Sequence, residues 1–195
     1  MPVWRKLAIV IIAGLLGGGC DALKRDYSGI ELTGANWGRD FKLTDPDGRE
    51  RTLADFRGKY VMVFFGYIQC PVVCPTALVR AAEARNALGA DRERIQVIFI
   101  TLDPERDSPA LVKEYAAAFD PNVIGLRGDL QRTREVAKEF HVYYEKVPSG
   151  SSYSIDHTAI TYIYDDQGRL RLGMQHQHTT EQYVADMRTL MKSKS

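Results

Sequence analysis

The segment Phe65-Gly66-Tyr67-Ile68-Gln69-Cys70-Pro71-Val72-Val73-Cys74-Pro75 holds the two side chains best suited to chemistry, the thiols of Cys70 and Cys74. A proline follows each cysteine, and the residue before a proline is pushed out of helical geometry. Both cysteines are therefore expected in a loop, with a helix opening at Pro75 and Cys74 at its N-cap. The unpaired N–H groups and positive dipole end found there lower a thiol's pKa. A thiolate is both nucleophile and soft metal ligand, so the placement favours reactive sulfur over a structural disulfide. Two thiolates select Cu(I), zinc or iron–sulfur chemistry and do not decide among them.

A third ligand narrows the choice. The histidines are His141, His157, His176 and His178. His157 lies in Ser154-Ile155-Asp156-His157-Thr158, at the entrance to an apolar run. Its imidazole can complete a three-coordinate site with two sulfurs, an arrangement suited to Cu(I). A lone histidine is more often a solvated or core residue, and it is the position in the fold that singles this one out. His141 closes a helical stretch, where a cation is favourable in any case. Met174, His176 and His178 alternate, which places them on one face of an extended segment. An auxiliary copper site is conceivable there, and a solvated strand end is the preferred reading.

These residues must be positioned by the elements around them. Tyr60–Gly66 and Ile95–Leu102 are continuous apolar runs, as in strands covered on both faces. Between them the Ala-rich stretch Pro75–Leu88 forms a helix ended by Gly89. Upstream, Phe41–Thr44 and Arg49–Leu53 flank the turn formers Asp45-Pro46-Asp47-Gly48 as an N-terminal β-hairpin. Ser108-Pro109 supplies an N-cap and first-turn proline for a helix to about Phe119. Val123–Leu126 is a short strand, Leu130–Phe140 helical and Val142–Lys146 extended. Thr158–Tyr164 and Arg169–Met174 pair antiparallel across Asp165-Asp166-Gln167-Gly168, and Thr179–Met191 is a closing helix. A parallel βαβ half followed by an antiparallel pair gives an α/β, thioredoxin-like mixed sheet with helices on both faces. In such folds the loop before the penultimate strand faces the cysteine pair. Redox members carry a cis-proline there and two residues between their cysteines. This chain has His157 at that place and three residues between the sulfurs.

With 195 residues, 45% hydrophobic and 26% charged, one globular domain is the economical reading. A net charge of +1 without a basic stripe makes nucleic acid an unsuitable partner. Residues 1–19 read as a signal peptide: Arg5 and Lys6, the apolar run Leu7–Leu16, then small residues before Cys20. Ten apolar residues fall short of the roughly 20 that span a bilayer. The cysteine at the cleavage point resembles the lipidated first residue of a bacterial lipoprotein, although Gly17 stands where leucine is usual. Lipidation at Cys20 would anchor the protein at the periplasmic face of the inner membrane in the bacterial cell envelope. It also leaves Cys70 and Cys74 as the only free thiols in an oxidising compartment. Residues 20–37 lack clear periodicity and read as a tether, which leaves 38–195 as the domain.

Three motifs in order resemble the Sco/SenC family of thioredoxin-like copper chaperones for cytochrome c oxidase. They are G-Y-x-x-C-P-x-V-C-P at Gly66–Pro75, T-L-D-P-E-R-D-S-P at Thr101–Pro109, and D-H-T at Asp156–Thr158. The resemblance covers Leu32–Met191. It implies copper held by Cys70, Cys74 and His157, and leaves Cu(I) and Cu(II) both open. It implies delivery of that copper to the binuclear CuA centre of oxidase subunit II, or reduction of that centre's cysteines. It places Asp103 near the site for copper handling or docking, beside the plain role of a turn former before Pro104. The loop departs from the family pattern, with Ile68 in place of threonine and Val72 in place of aspartate. Two functions follow, a metallochaperone without turnover of its own and a thiol–disulfide oxidoreductase using the Cys70/Cys74 pair. A thiol peroxidase fits poorly, because Tyr67 and Pro71 stand where a peroxide-positioning threonine would be needed.

Overall fold

A computed structural model of the chain describes residues 26–193. The signal peptide and Cys20 lie outside the described residues. The elements in chain order are β1 (Ile30–Glu31), β2 (Lys42–Thr44), β3 (Glu50–Thr52), β4 (Tyr60–Gly66), α1 (Val73–Ala87), β5 (Ile95–Thr101) and α2 (Pro109–Ala117). They continue with β6 (Ile124–Leu126), α3 (Leu130–Glu139), β7 (Tyr144–Ser149), β8 (Ser152–His157), β9 (Ile160–Tyr164), β10 (Leu170–Gln175) and α4 (Thr180–Lys192).

Six strands form one sheet in the order β1-β10-β9-β4-β5-β6. β4 runs parallel to β5 and antiparallel to β9, so the apolar strand Tyr60–Gly66 is central and wholly buried. Alternation of side chains along β4 divides the core in two. Tyr60, Met62 and Phe64 face α1, α2 and α4, while Val61, Val63 and Phe65 face α3 and the hairpin β2–β3. This is the thioredoxin-like α/β arrangement expected, with helices on both faces and the hairpin packed on one of them. Local capping signals open the helices, the one at Ser108 as expected. Ser108 caps α2 by accepting the Leu111 N–H, Asp129 caps α3, and Thr179 with Gln182 forms a capping box on α4.

Two regions differ from the sequence expectation. Residues 27–37, read as part of a tether, are docked. The Asp186 carboxylate accepts the Ser28 and Gly29 N–H groups at 2.9 and 2.8 Å, β1 pairs with β10, and Trp37 stacks on His141. Short contacts of this kind leave no periodic signature. The second difference bears on the site. Where only Val142–Lys146 is expected to be extended, a complete hairpin β7–β8 forms a separate sheet whose strands, among the described residues, pair only with each other.

Candidate metal centre

The site forms beyond the carboxyl end of β4, where parallel strands of α/β sheets commonly present their ligands. Gly66 ends β4, and the chain crosses Tyr67–Val72 before entering α1. The buried Asp107 carboxylate holds this loop, accepting the Ile68 N–H at 3.2 Å and the Thr101 hydroxyl at the end of β5. The helix begins earlier than its prolines suggest. The Thr76 N–H already donates to the Val72 carbonyl, so Val73 and Cys74 belong to the first turn. Pro75 is accommodated because an N–H at that position has no intrahelical acceptor to lose. Cys74 is therefore a fully buried helical residue rather than the N-cap, and Cys70 occupies the helix mouth. The Cys74 N–H donates to the Cys70 sulfur at 3.4 Å.

Opposite the sulfurs stands His157, the last residue of β8 rather than part of a loop. Its Nε2 lies 3.3 Å from the Cys74 sulfur, and its Nδ1 lies 3.0 Å from the Thr158 carbonyl oxygen. A carbonyl only accepts, so Nδ1 carries the proton in the neutral ring. The Nε2 lone pair is thereby aimed at the sulfurs. Phe64 and Tyr67 meet the imidazole edge-on, each with centroids 6.0 Å away, and hold its plane. The donor atoms of Cys70, Cys74 and His157 all lie within 4.8 Å of one another.

The two thiols share a proton unequally. The contact with the Cys74 thiol pulls the Cys70 pKa down to about 3, helped by His157 and by the Cys74 and Val72 N–H groups against the opposing effect of burial. The same contact, together with burial, pushes Cys74 well above the ordinary thiol range. Cys70 thus bears the negative charge and Cys74 the proton, the reverse of what an N-capping Cys74 would give. The arrangement offers one thiolate, one thiol beside it and one free imidazole nitrogen, all soft or borderline donors.

The family model described as SCO1/SenC matches residues 31–192. The chain belongs to the SCO1/SenC family. A SCO2-like protein of Rickettsia felis is 36% identical over 135 residues, which covers 68% of this chain and 66% of that relative. Among solved structures, Bradyrhizobium japonicum ScoI with copper bound is 40% identical with a TM-score of 0.70, covering 77% of this chain and 97% of that one. Apo Sco1 from Thermus thermophilus is 38% identical with a TM-score of 0.75, covering 86% and 99%. The chain spans two-thirds or less of the length of the curated relatives it matches.

Within this SCO1/SenC site the remaining expected residues fall outside the donor cluster. Asp103 is fully buried and is not among the clustered donors. Its carboxylate pairs with Arg106 and accepts the Tyr153 hydroxyl at 2.9 Å, and its carbonyl accepts the Arg106 and Asp107 N–H groups in a turn. Met174 lies in the core, His176 is exposed, and His178 Nδ1 accepts the Gln175 N–H, so these three share no site. Val72 is 64% exposed at the mouth of α1. Three residues that matter were not singled out from the sequence. Gly66 leaves room for the Cys74 sulfur, Asp107 ties the loop, and Arg106 joins the loop to the hairpin. All three sit inside quoted motifs, but neither spacing nor composition distinguishes them from turn residues.

Proposed function

We propose that this chain is a copper metallochaperone that binds Cu(I) through Cys70, Cys74 and His157. The observation that carries the reading is the convergence of two sulfurs and one oriented imidazole nitrogen, without a carboxylate among them, in a SCO1/SenC chain. Hard cations such as Mg2+ and Ca2+ take oxygen donors, and structural zinc takes four ligands. Two soft sulfurs and one nitrogen suit Cu(I). The copper-bound state of B. japonicum ScoI supports the same metal. Cys70 already carries the charge that draws the cation, and Cys74 loses its proton on binding.

As cargo, the copper leaves by exchange of ligands. Cys70 is half-exposed at the loop, so a thiolate from a recipient reaches the metal on that side first. The recipient we infer is the CuA centre of cytochrome c oxidase subunit II. The setting we infer is the bacterial cell envelope, with Cys20 as lipid anchor at the periplasmic face. Among the described residues no helix is long and apolar enough to cross a membrane. The test is Cu(I) titration of the reduced protein against a competing chelator. One equivalent bound tightly, and lost in Cys70→Ala, Cys74→Ala and His157→Ala, is expected. Unchanged affinity in His157→Ala would overturn the three-ligand site.

A thiol–disulfide oxidoreductase is the second reading, favoured by the low pKa of the half-exposed Cys70 beside a protonated partner. In that chemistry Cys70 attacks a recipient's disulfide, and Cys74 then closes the internal disulfide, passing two electrons outward. A His157→Ala variant that keeps full reductase activity while losing copper would favour this reading.

A further inference from the structure

Successive side chains of β8 alternate, so Tyr153, Ile155 and His157 share one face. Ile155 is buried in the core, but no ladder of the six-stranded sheet fixes the hairpin that carries them. Besides the contacts of His157 with Cys74 and Tyr67, the Arg106 guanidinium bridges the hairpin and the cysteine loop. The Arg106 guanidinium lies over the Tyr153 ring, 3.6 Å from its centroid. Its Nη1 is within hydrogen-bond reach of the Tyr153 carbonyl at 2.8 Å and the Ser152 hydroxyl at 3.1 Å on the hairpin. The same nitrogen reaches the Gln69 side-chain oxygen at 3.0 Å, one residue before Cys70. Arg106 Nε pairs with Asp103, whose other oxygen accepts the Tyr153 hydroxyl. Arg106 also approaches Tyr67, the ring that meets His157 edge-on.

We propose that Arg106 is a positioning residue that sets the separation of the His157 imidazole from the two sulfurs, acting through Tyr153 and Gln69. The inference rests on the reading of Cys70, Cys74 and His157 as copper ligands. Arg106 is no ligand itself, since guanidinium carries donors only. Its planar fork and stacking face perform the role, so lysine, a compact point charge, is no substitute. Groups that orient metal ligands typically affect affinity by about 10- to 100-fold.

The test compares wild type, Arg106→Met, Arg106→Lys, His157→Ala and the Arg106→Met/His157→Ala double variant, each reduced. In the metal-free proteins, hydrogen exchange at residues 152–157 and the His157 ring resonances are read by NMR. With Cu(I), affinity comes from chelator competition and the nitrogen shell from X-ray absorption. Arg106→Met and Arg106→Lys are expected to speed hairpin exchange and shift the ring resonances. Both should still bind one Cu(I) through two sulfurs, lose the nitrogen shell and fall 10- to 100-fold in affinity. The double variant should be no weaker than His157→Ala alone, because the two act as one unit. Wild-type behaviour of either Arg106 variant, or losses that multiply in the double variant, would overturn the proposal. Should Arg106→Met fail to fold, Tyr153→Leu keeps the Arg106–Asp103 pair and removes the stacked ring and the hydroxyl bond to Asp103, and it must shift the ring resonances and lower Cu(I) affinity in the same direction. If His157→Ala binds copper like wild type, the ligand reading fails instead, and the metal-free measurements still decide whether Arg106 places the ring.

Discussion

Gly66→Ala tests the fit between the end of β4 and α1. A Cβ at Gly66 would stand 2.7 Å from the Cys74 sulfur and 2.9 Å from Phe64 Cε1. Ordinary contact begins at 3.4 Å, so the sulfur must retreat by about 0.7 Å. Cys74 is fully buried and held by the first turn of its helix, which leaves little room for that retreat. Overpacking of this kind costs about 1–3 kcal/mol. At about 2–4 °C per kcal/mol for a domain of this size, Tm should fall by roughly 2–12 °C. The same displacement disturbs the 3.3 Å approach of the Cys74 sulfur to His157, so Cu(I) affinity should fall with it. Gly125→Ala is the control. Its Cβ would meet Val112 Cγ1 at 2.4 Å and the Val112 carbonyl oxygen at 2.8 Å, on the edge strand β6. It should destabilise comparably and leave copper affinity unchanged. Thermal melts and chelator competition on the reduced proteins read both effects. A Gly66→Ala protein with wild-type Tm and affinity would refute the packing argument. Equal loss of affinity in Gly125→Ala would show that affinity follows global stability rather than local fit.

Other expectations follow from the thiol pair and from the N-terminal dock. At pH 6, iodoacetamide should modify Cys70 well before Cys74, as peptide mapping would show; equal rates would refute the unequal sharing of the proton. Cys70 has a folded pKa depressed from the ordinary thiol value near 8.5, so its contribution to stability is complete above about pH 8.5 and is lost as pH falls toward 3. Cys74 has the opposite sign, and its contribution is present below that value and lost as pH rises. Denaturation of the reduced protein between pH 3 and 8 should therefore show a rise that Cys70→Ser removes. Asp186→Asn weakens acceptance of the Ser28 and Gly29 N–H groups and should cost about 1–3 kcal/mol, with faster hydrogen exchange at residues 28–32.

Strong local signals were legible in the chain, and cooperative ones were not. Tyr60–Gly66 has the length and apolar continuity of a strand covered on both faces, and its expected bounds match β4. The Ser108-Pro109 pair locates α2 because a cap and a first-turn proline are chemistry confined to adjacent residues. Cys70, Cys74 and His157 stood out because sulfur and imidazole are rare and their order along the fold is informative. The hairpin β7–β8 was missed because Glu145–Ser149 is exposed along its length, which erases the alternation that marks a strand with one buried face. Cys74 was placed outside the helix because the restriction before proline is a local preference, here outweighed by burial of Cys74 and of Leu78 one turn on. Arg106 carries no signature of its own, since its role is visible only when Gln69 and Tyr153 are adjacent in space.

Among the described residues β7 and β8 share a backbone ladder only with each other, so side chains rather than sheet rungs fasten them to the domain. Displacing the hairpin would break no rung between β9 and β4. Withdrawing His157 then means freeing Ile155, unfastening Ser152 and Tyr153 from Arg106 and Asp103, and parting Lys146 from Glu105. A receptacle built this way can open on one side while its other side stays shut.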